Sequence, residues 1–262
     1  MSTSSGYVWP HLSALPAFRA LIRSIEHKIL DARKPFAGPV LDVGVGDGHF
    51  AEAALGRGLD IGIDVDRHTL PEAQRRGLYR HLLYASATRM PFASNSFATV
   101  ISNCVIEHIP DLESTLGEMA RVLRPGGRLL LTVPTDQLER NLLLPKLMRT
   151  VGLRGPAQGY TDWFRKAQVH FHLLSPADWR KALERHGLTV TESRGYMSAD
   201  ATRYFELGHY YGLPNVISRR LTGLWVLFPW RPRFVAEETL LQRFVNEPAK
   251  ADDSCYFMAA TK

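Results

Sequence analysis

Residues 40–48 read Val40-Leu41-Asp42-Val43-Gly44-Val45-Gly46-Asp47-Gly48. Val40–Val43 is a short apolar run suited to a buried strand. Gly44, Gly46 and Gly48 follow at alternate positions, and Ala51, Ala53, Ala54 and Leu55 open a helix-like segment. Strand, glycine loop and helix together are the sequence form of a nucleotide cradle, in which glycines let the backbone turn sharply and approach a ligand. Three glycines alone also fit a tight β-to-α turn that binds nothing. The next apolar run separates the two readings. Asp60–Val65 is Asp-Ile-Gly-Ile-Asp-Val, and Asp64 falls 20 residues after Gly44. That is close to the spacing at which a carboxylate accepts hydrogen bonds from a ribose.

A dinucleotide fingerprint requires glycine at the sixth position of Gly-x-Gly-x-x-Gly, and His49 stands there. The missing glycine is the one that permits close helix–strand packing. The stretch instead resembles the first motif of class I S-adenosylmethionine-dependent methyltransferases, with Asp42, Gly44, Gly46 and Gly48 in the family's Asp-x-Gly-x-Gly-x-Gly. The resemblance continues in family order through IGIDVD (61–66), ATRMPFASNSFATVISNCVIEHIPD (87–111) and EMARVLRPGGRLLLTVP (118–134). It is strong over residues 35–135 and weak beyond them. It implies S-adenosyl-L-methionine as cofactor and S-adenosyl-L-homocysteine as product. Asp42 and the three glycines would shape the methionine and ribose end of the site. Asp64 and Val65 would meet the ribose, Ser86, Ala87 and Met90 would border the adenine, and Asn103 would close the crevice. Two positions depart from the family pattern. Ser86 stands where Asp commonly accepts from the adenine amino group, and Ala98 stands where Asp is frequent. A neutral hydroxyl gives a weaker hydrogen bond there, about 1 kcal/mol against about 1.5–3 for a charged acceptor.

The composition is that of a globular protein: 262 residues, 45% hydrophobic, 22% charged, net charge +6. Cys104 and Cys255 are the only cysteines, which excludes a disulfide framework or a cysteine zinc cluster and suits a reducing compartment. Residues 1–30 lack a basic-then-apolar secretion pattern, and no run of 18 apolar residues exists. A cytoplasmic setting is expected, with peripheral contact at the inner membrane face through 219–233.

Leu15, Phe18, Leu21, Ile22, Ile25, Ile29 and Leu30 recur every three or four positions, which predicts an amphipathic helix. In the family a helix here packs on the sheet and often closes over the cofactor. Further elements are expected as a helix at 70–76, strands at 80–85 and 97–102, a helix from Asp111 as N-cap to Leu123, and a strand at 128–133. Strands alternating with helices predict an α/β, doubly wound, Rossmann-like sheet. The resemblance makes it seven-stranded and mostly parallel with an antiparallel last strand. Gly44, Asp64, Ser86 and Asn103 all fall at carboxyl ends of strands, where open α/β sheets bind ligands.

The second half adds two insertions. The chain divides into an N-terminal helical segment (1–34), a cofactor-binding core (35–135), a first insertion (136–169), a core continuation (170–196), a second insertion (197–252) and a last strand (253–262). The first insertion reads as Leu142–Leu147, a glycine-rich turn at Gly152–Gly159, and aromatics Tyr160, Trp163 and Phe164. Both insertions are expected to form a cap over the transferred methyl, since insertions of this length are usually lids or binding loops. Leu224–Trp230 is framed by Arg219, Arg220, Arg231 and Arg233, a pattern suited to a membrane interface or an acyl or prenyl chain, and equally to a packed helix with solvated arginines.

Methyl transfer asks the protein to exclude water, align the acceptor and sometimes remove a proton. His170 is the first candidate base, with an ordinary structural role as its alternative, and His108 the second, where the resemblance implies that the Glu107-His108 pair shapes the methionine end of the cofactor site; catalysis by proximity with no dedicated base is the further alternative. His170-x-His172 read as a strand directs one ring to each face, with His170 toward the crevice. Tyr160, Trp163, His172 and Tyr196 are candidate substrate contacts, with Asp162 a weaker polar candidate, and no metal ligand set is evident. The expected reaction is methylation of a hydroxyl or amine on a small molecule, such as a sugar or lipid-linked metabolite in natural-product or glycan biosynthesis. The alternatives are a cofactor-binding protein without transfer activity and a peripheral membrane lipid methyltransferase. Nucleic acid is disfavoured: the loop after the fourth strand reads Asn-Cys-Val-Ile, without Asn/Asp-Pro-Pro-aromatic, and no dense basic stripe exists.

Overall fold

The computed structural model describes residues 5–262. Helices α1 (Ser5–Leu12) and α2 (Ala17–Asp31) lead into β1 (Val40–Val43), a π-helical turn (Ala51–Leu55), β2 (Leu59–Asp64), α3 (Leu70–Arg76), β3 (Tyr79–Tyr84) and β4 (Phe97–Asn103). There follow α4 (Leu112–Val122), β5 (Leu123–Pro134), α5 (Gln137–Arg140), α6 (Leu143–Thr150) and α7 (Arg154–Ala167). The chain ends with α8 (Pro176–Arg185), β6 (Thr189–Tyr196), α9 (Ala199–Tyr211), α10 (Leu213–Thr222), α11 (Val235–Val245) and β7 (Cys255–Thr261).

The strands form one sheet in the order β3-β2-β1-β4-β5-β7-β6. The five strands from β3 to β5 pair in parallel, and β7 runs antiparallel to both its neighbours. This is the expected doubly wound, Rossmann-like arrangement. The central parallel strands β1 and β4 are covered on both faces and buried along their whole length, while the edge strand β3 is largely exposed. One face packs against α4 and α8 through Leu116, Met119, Trp179 and Leu183. The other face carries α1, α2 and parts of both insertions, with Leu21, Ile25, Leu138, Phe164, Phe205 and Leu241 in a single cluster. Local signals end the helices where sequence chemistry predicts. Asp111 accepts a hydrogen bond from the Ser114 amide at 3.0 Å and Ser175 accepts one from the Asp178 amide at 3.2 Å.

Three expectations are corrected. Gly152–Gly159 is not a glycine-rich turn, because α7 runs from Arg154 through Gly155 and Gly159. It buries Ala157, Thr161 and Phe164 at helical spacing, and that packing outweighs the roughly 1 kcal/mol that each glycine costs a helix. His170-x-His172 lies on an irregular segment, not on a strand. β5 begins at Leu123, with an irregularity between the Phe97–Leu123 and Thr99–Arg128 pairs.

The two insertions touch each other. The Phe164 ring meets the Phe205 ring edge-on with centroids 6.5 Å apart, and the amides of Leu143 and Leu144 donate to the buried Glu206 carboxylate at 2.5 and 3.2 Å. α2 joins them, with Phe18 against Phe205 at 5.7 Å.

Candidate active site

A cavity of about 500 Å³ opens above the carboxyl ends of β1 and β4, within the usual range for ligand sites. The β1 loop contributes Asp42, Gly44, Gly46 and His49, and the β4 loop contributes Asn103, Cys104, Glu107 and His108. From above come Arg19 and Arg23 of α2, Gln168 and His170 after α7, and Phe205, His209 and Trp225 of the second insertion.

The glycines have different tasks. A Cβ on Gly44 would sit 2.3 Å from Val105 Cγ2, so that position is closed by packing. Gly46 has φ +55, and an added Cβ there would meet no protein atom within 4 Å. It is the open floor of the cradle. Its amide donates to Asp64 Oδ2 at 2.8 Å, and the Asp66 amide donates to Asp64 Oδ1 at 2.8 Å. A carboxylate offers about four acceptor sites, so Asp64 is held in place with acceptor capacity left for hydroxyls. Asp42 is buried and accepts from the Tyr79 hydroxyl at 2.5 Å. Burial pushes its carboxyl up to about 6 against that hydrogen bond, and the nearby Asp64 charge adds to the rise.

Asp64, Val65, Ser86, Ala87 and Met90 do not line the cavity. Ala87 and Met90 are buried, and Val65 is exposed. The Ser86 hydroxyl is engaged locally with Thr88, whose Oγ1 lies 2.8 Å away. The enclosed volume is therefore lined by the β1 and β4 loops, while the residues expected to meet ribose and adenine lie outside it.

Asn103 is bound on both sides of its amide. Its Nδ2 donates to Glu26 Oε2 at 2.8 Å and its Oδ1 accepts from Thr132 at 3.0 Å. Glu26 is fully buried on α2, and also accepts from Arg23 at 2.7 Å, Cys104 Sγ at 2.9 Å and the Tyr196 hydroxyl at 3.0 Å. Sequence reasoning missed this carboxylate, although an acid among the apolar positions of an amphipathic helix is a signal for a buried partner. It also missed a row of three buried histidines. His11 Nδ1 lies 3.1 Å from His49 Nε2, and His11 Nε2 lies 3.3 Å from His27 Nδ1.

The structure separates the polar candidates. His170 and His108 both line the cavity, their rings stacked at 5.2 Å. His170 Nδ1 is buried without a hydrogen-bond partner among the described residues. Burial, with His108 and Arg165 adding repulsion, brings His170 down to about 3. Glu107 lies beside them and is 1% exposed. Burial pushes its carboxyl up to about 8. His172 turns away, with Nε2 3.0 Å from the Ile109 carbonyl. Tyr160 accepts from the Tyr210 hydroxyl at 2.8 Å, and Trp163 is exposed. Tyr196 is committed to Glu26, and Asp162 accepts from Gln158 at 3.0 Å. None of Tyr160, Trp163, His172 and Tyr196 lines the cavity, whereas Arg19, Gln168, His209 and Trp225 do.

Residues 41–131 match the methyltransferase domain family. The chain carries a class I S-adenosylmethionine-dependent methyltransferase domain. An uncharacterised methyltransferase of Mycobacterium sp. strain JLS is 42% identical over 102 residues, which are 37% of this chain and 39% of that relative. The match thus spans well under half of that protein. A ubiquinone biosynthesis O-methyltransferase of Aeromonas salmonicida is 29% identical over 66% of this chain and 72% of its own length. Among solved structures, a SAM-dependent methyltransferase of Thermotoga maritima superposes with a TM-score of 0.56 at 16% identity, covering 94% of this chain and 91% of its own. This likeness is one of fold.

Proposed function

We propose that the protein transfers the methyl group of S-adenosyl-L-methionine to a hydroxyl or amine on a small molecule with an apolar tail. The observation that carries this reading is the single cavity shared by the open Gly46 floor and the His108–His170 pair. The residues fit the cofactor: a glycine with free space above it, a carboxylate held by that glycine's own amide, and a buried Asp42. The bound cofactor supplies an electrophilic methyl on a sulfonium. The chain supplies positioning and exclusion of water, which can account for most of the acceleration of such a step. Partial desolvation lowers His108 and burial brings His170 down to about 3, so both rings stay neutral at pH 7 and present lone pairs to the cavity.

The apolar tail is supported by α10, none of whose residues is buried. Leu213, Ile217 and Leu221 are 61, 60 and 80% exposed, and Phe228 and Trp230 further along the chain are exposed as well. Trp225 lines the cavity, with Arg19 and Arg219 over its ring at 4.9 and 5.9 Å. Apolar side chains ringed by arginines suit the surface of an anionic membrane. No helix among the described residues is long and apolar enough to cross one. Relatives named as quinone-pathway methyltransferases, including the Aeromonas protein, fit an acceptor drawn from lipid better than a free sugar.

Gly46→Ala is expected to weaken calorimetric binding of S-adenosylmethionine and S-adenosylhomocysteine at least tenfold, because the new methyl occupies the cradle. Gly58→Ala carries the same backbone penalty, at φ +83 with free space around it, and should leave affinity unchanged. Equal effects of the two substitutions would show that Gly46 serves only the turn.

The reaction is tested with labelled S-adenosylmethionine and pooled quinols, phenols and lipid amines, presented in anionic or zwitterionic vesicles, with product read by mass spectrometry. Transfer by wild type and not by Asp64→Ala, faster on anionic vesicles and slowed by Leu221→Glu, is the expected result. Cofactor binding without transfer to any pool assigns the protein instead to the non-catalytic binders. Transfer that ignores both vesicle charge and Leu221→Glu removes the membrane contact.

A further inference from the structure

We propose that Glu107, His108 and His170 form a binding site for a divalent metal ion at the wall of the cavity. One ligand atom from each side chain can be chosen so that all three lie within 4.8 Å of one another. Ligands on a tetrahedral zinc at about 2.0–2.1 Å sit roughly 3.4 Å apart. Closing the set therefore needs only side-chain adjustments of about an ångström.

The surroundings already orient the ligands. His108 Nδ1 lies 3.1 Å from the Val169 carbonyl, which can only accept. Nδ1 is therefore the protonated nitrogen, and Nε2 presents its lone pair 3.7 Å from Glu107 Oε1. A carbonyl behind a ligating imidazole is the usual outer support of a metal site. The backbones are tied as well, since the amides of Phe171 and His172 both donate to the Glu107 carbonyl, at 2.8 and 3.3 Å. That pair of bonds fixes the segment carrying His170 against the segment carrying the other two ligands.

The set also contains what a hydrogen-bonded core does not tolerate. Glu107 Oε2 and His170 Nδ1 are both buried without a hydrogen-bond partner among the described residues. Buried polar atoms are nearly always paired, and exceptions call for a reason. Two unpaired polar atoms in one cluster, one of them on a carboxyl group that is 1% exposed, have a common explanation in one cation. The nearby Arg23 does not supply it: its Nη1 donates to Glu26, and none of its nitrogens reaches Glu107 Oε2.

Two imidazole nitrogens and one carboxylate oxygen select borderline cations such as Zn²⁺, Fe²⁺, Co²⁺ or Mn²⁺ over Mg²⁺ and Ca²⁺, which prefer all-oxygen shells. Three protein ligands leave a position open toward the cavity. The role of that position rests on the proposed methyl transfer. An acceptor hydroxyl bound there would lose its proton to water. Its oxygen lone pair would then form the new O–C bond as the S–C bond breaks, with the S–C electron pair staying on sulfur. The metal is neither oxidised nor reduced.

The test uses full-length protein dialysed against chelator, titrated with ZnCl₂ by calorimetry and with CoCl₂ by visible absorption, without cofactor or acceptor. One equivalent of each metal should bind, and cobalt should show the intense d–d bands of a low-coordinate site. His170→Ala and Glu107→Gln should each weaken zinc at least about 100-fold. His81→Ala, an exposed histidine of β3, should not. The cobalt spectrum of wild type needs no variant, so misfolding of a substituted protein cannot mask the answer. Absence of a cobalt band, or zinc affinity unchanged in His170→Ala, overturns the site. Metal binding without transfer to any acceptor leaves the site standing and sinks only the reaction assigned to it.

Discussion

Glu26→Ala is expected to lower folding stability by about 3–5 kcal/mol, the cost of leaving a buried charge network without its centre. Glu26 is fully buried and accepts from four donors: Arg23, Asn103, Cys104 and Tyr196. Those donors come from α2, the end of β4, the loop after it and β6. One carboxylate thus joins the N-terminal helix to the sheet edge beside the cavity. Alanine leaves the Arg23 charge without its counterion and three further donors with nothing to meet. Glutamine keeps the size but is not a rescue, because its amide NH₂ would face donors where only acceptors satisfy. A drop on the order of 10 °C in Tm is expected for a chain of this size. Arg23 and Asn103 line the cavity, so cofactor affinity should fall with stability. Urea denaturation of wild type, Glu26→Ala and Glu26→Gln checks the first claim. A loss under about 1 kcal/mol for both variants would show that water replaces the carboxylate.

Acidification from pH 7 to 4.5 should destabilise the fold by several kcal/mol. His11, His27 and His49 stand in a row of hydrogen bonds that neutral rings satisfy, since a neutral imidazole donates at one nitrogen and accepts at the other. Burial is the largest cause holding all three down, His11 well below its ordinary value and His27 at about 4. Unfolded histidines titrate near 6.5. As pH falls below that value the unfolded chain takes up protons that the native state refuses, so stability is lost down to the native pKa. For His27, which is 7% exposed, the interval from 6.5 to about 4 is worth about 3 kcal/mol. Opposing groups exist. Asp42 at about 6 and Glu107 at about 8 are protonated in the native state before the unfolded one, which stabilises on acidification. Six histidines are lowered, at 11, 27, 49, 108, 170 and 209. They outnumber the raised carboxyls, which are Asp42, Glu107 and Asp253, so the net sign is destabilising. Urea midpoints at pH 7, 6, 5 and 4.5 read it, and His27→Gln should flatten the curve. A stability that is level or rising over this range would mean the three histidines do not stay neutral in the fold.

Much of the core and part of the site could be read before the fold was seen. The β1–glycine–helix pattern, the acid closing β2 and the apolar run of β4 each carry their signal within about ten residues, because strand burial and turn geometry are local demands. The same locality explains the misreadings. The glycines of 152–159 look like a turn until Phe205 and the sheet give α7 a face to bury. The alternation of His170 and His172 looks like a strand until the Glu107 carbonyl holds the segment as an irregular one.

By itself, the sequence determined the α/β order, the methyltransferase motifs over 35–135, and the positions of Asp42, Gly44, Gly46, Gly48 and Asp64 within them. Only the tertiary structure decided which glycine faces open space and which is sealed by Val105. It alone set His170 at the cavity wall and turned His172 away, brought Glu107 and His108 beside His170, and set Glu26 and the three histidines between α1, α2 and the sheet. The physical reason is range. Helix periodicity, strand burial and turn chemistry act over a few residues and leave a trace in them. A buried acid or imidazole is instead defined by partners distant in sequence, such as His49 for His11, 38 positions away, and Tyr196 for Glu26, 170 positions away.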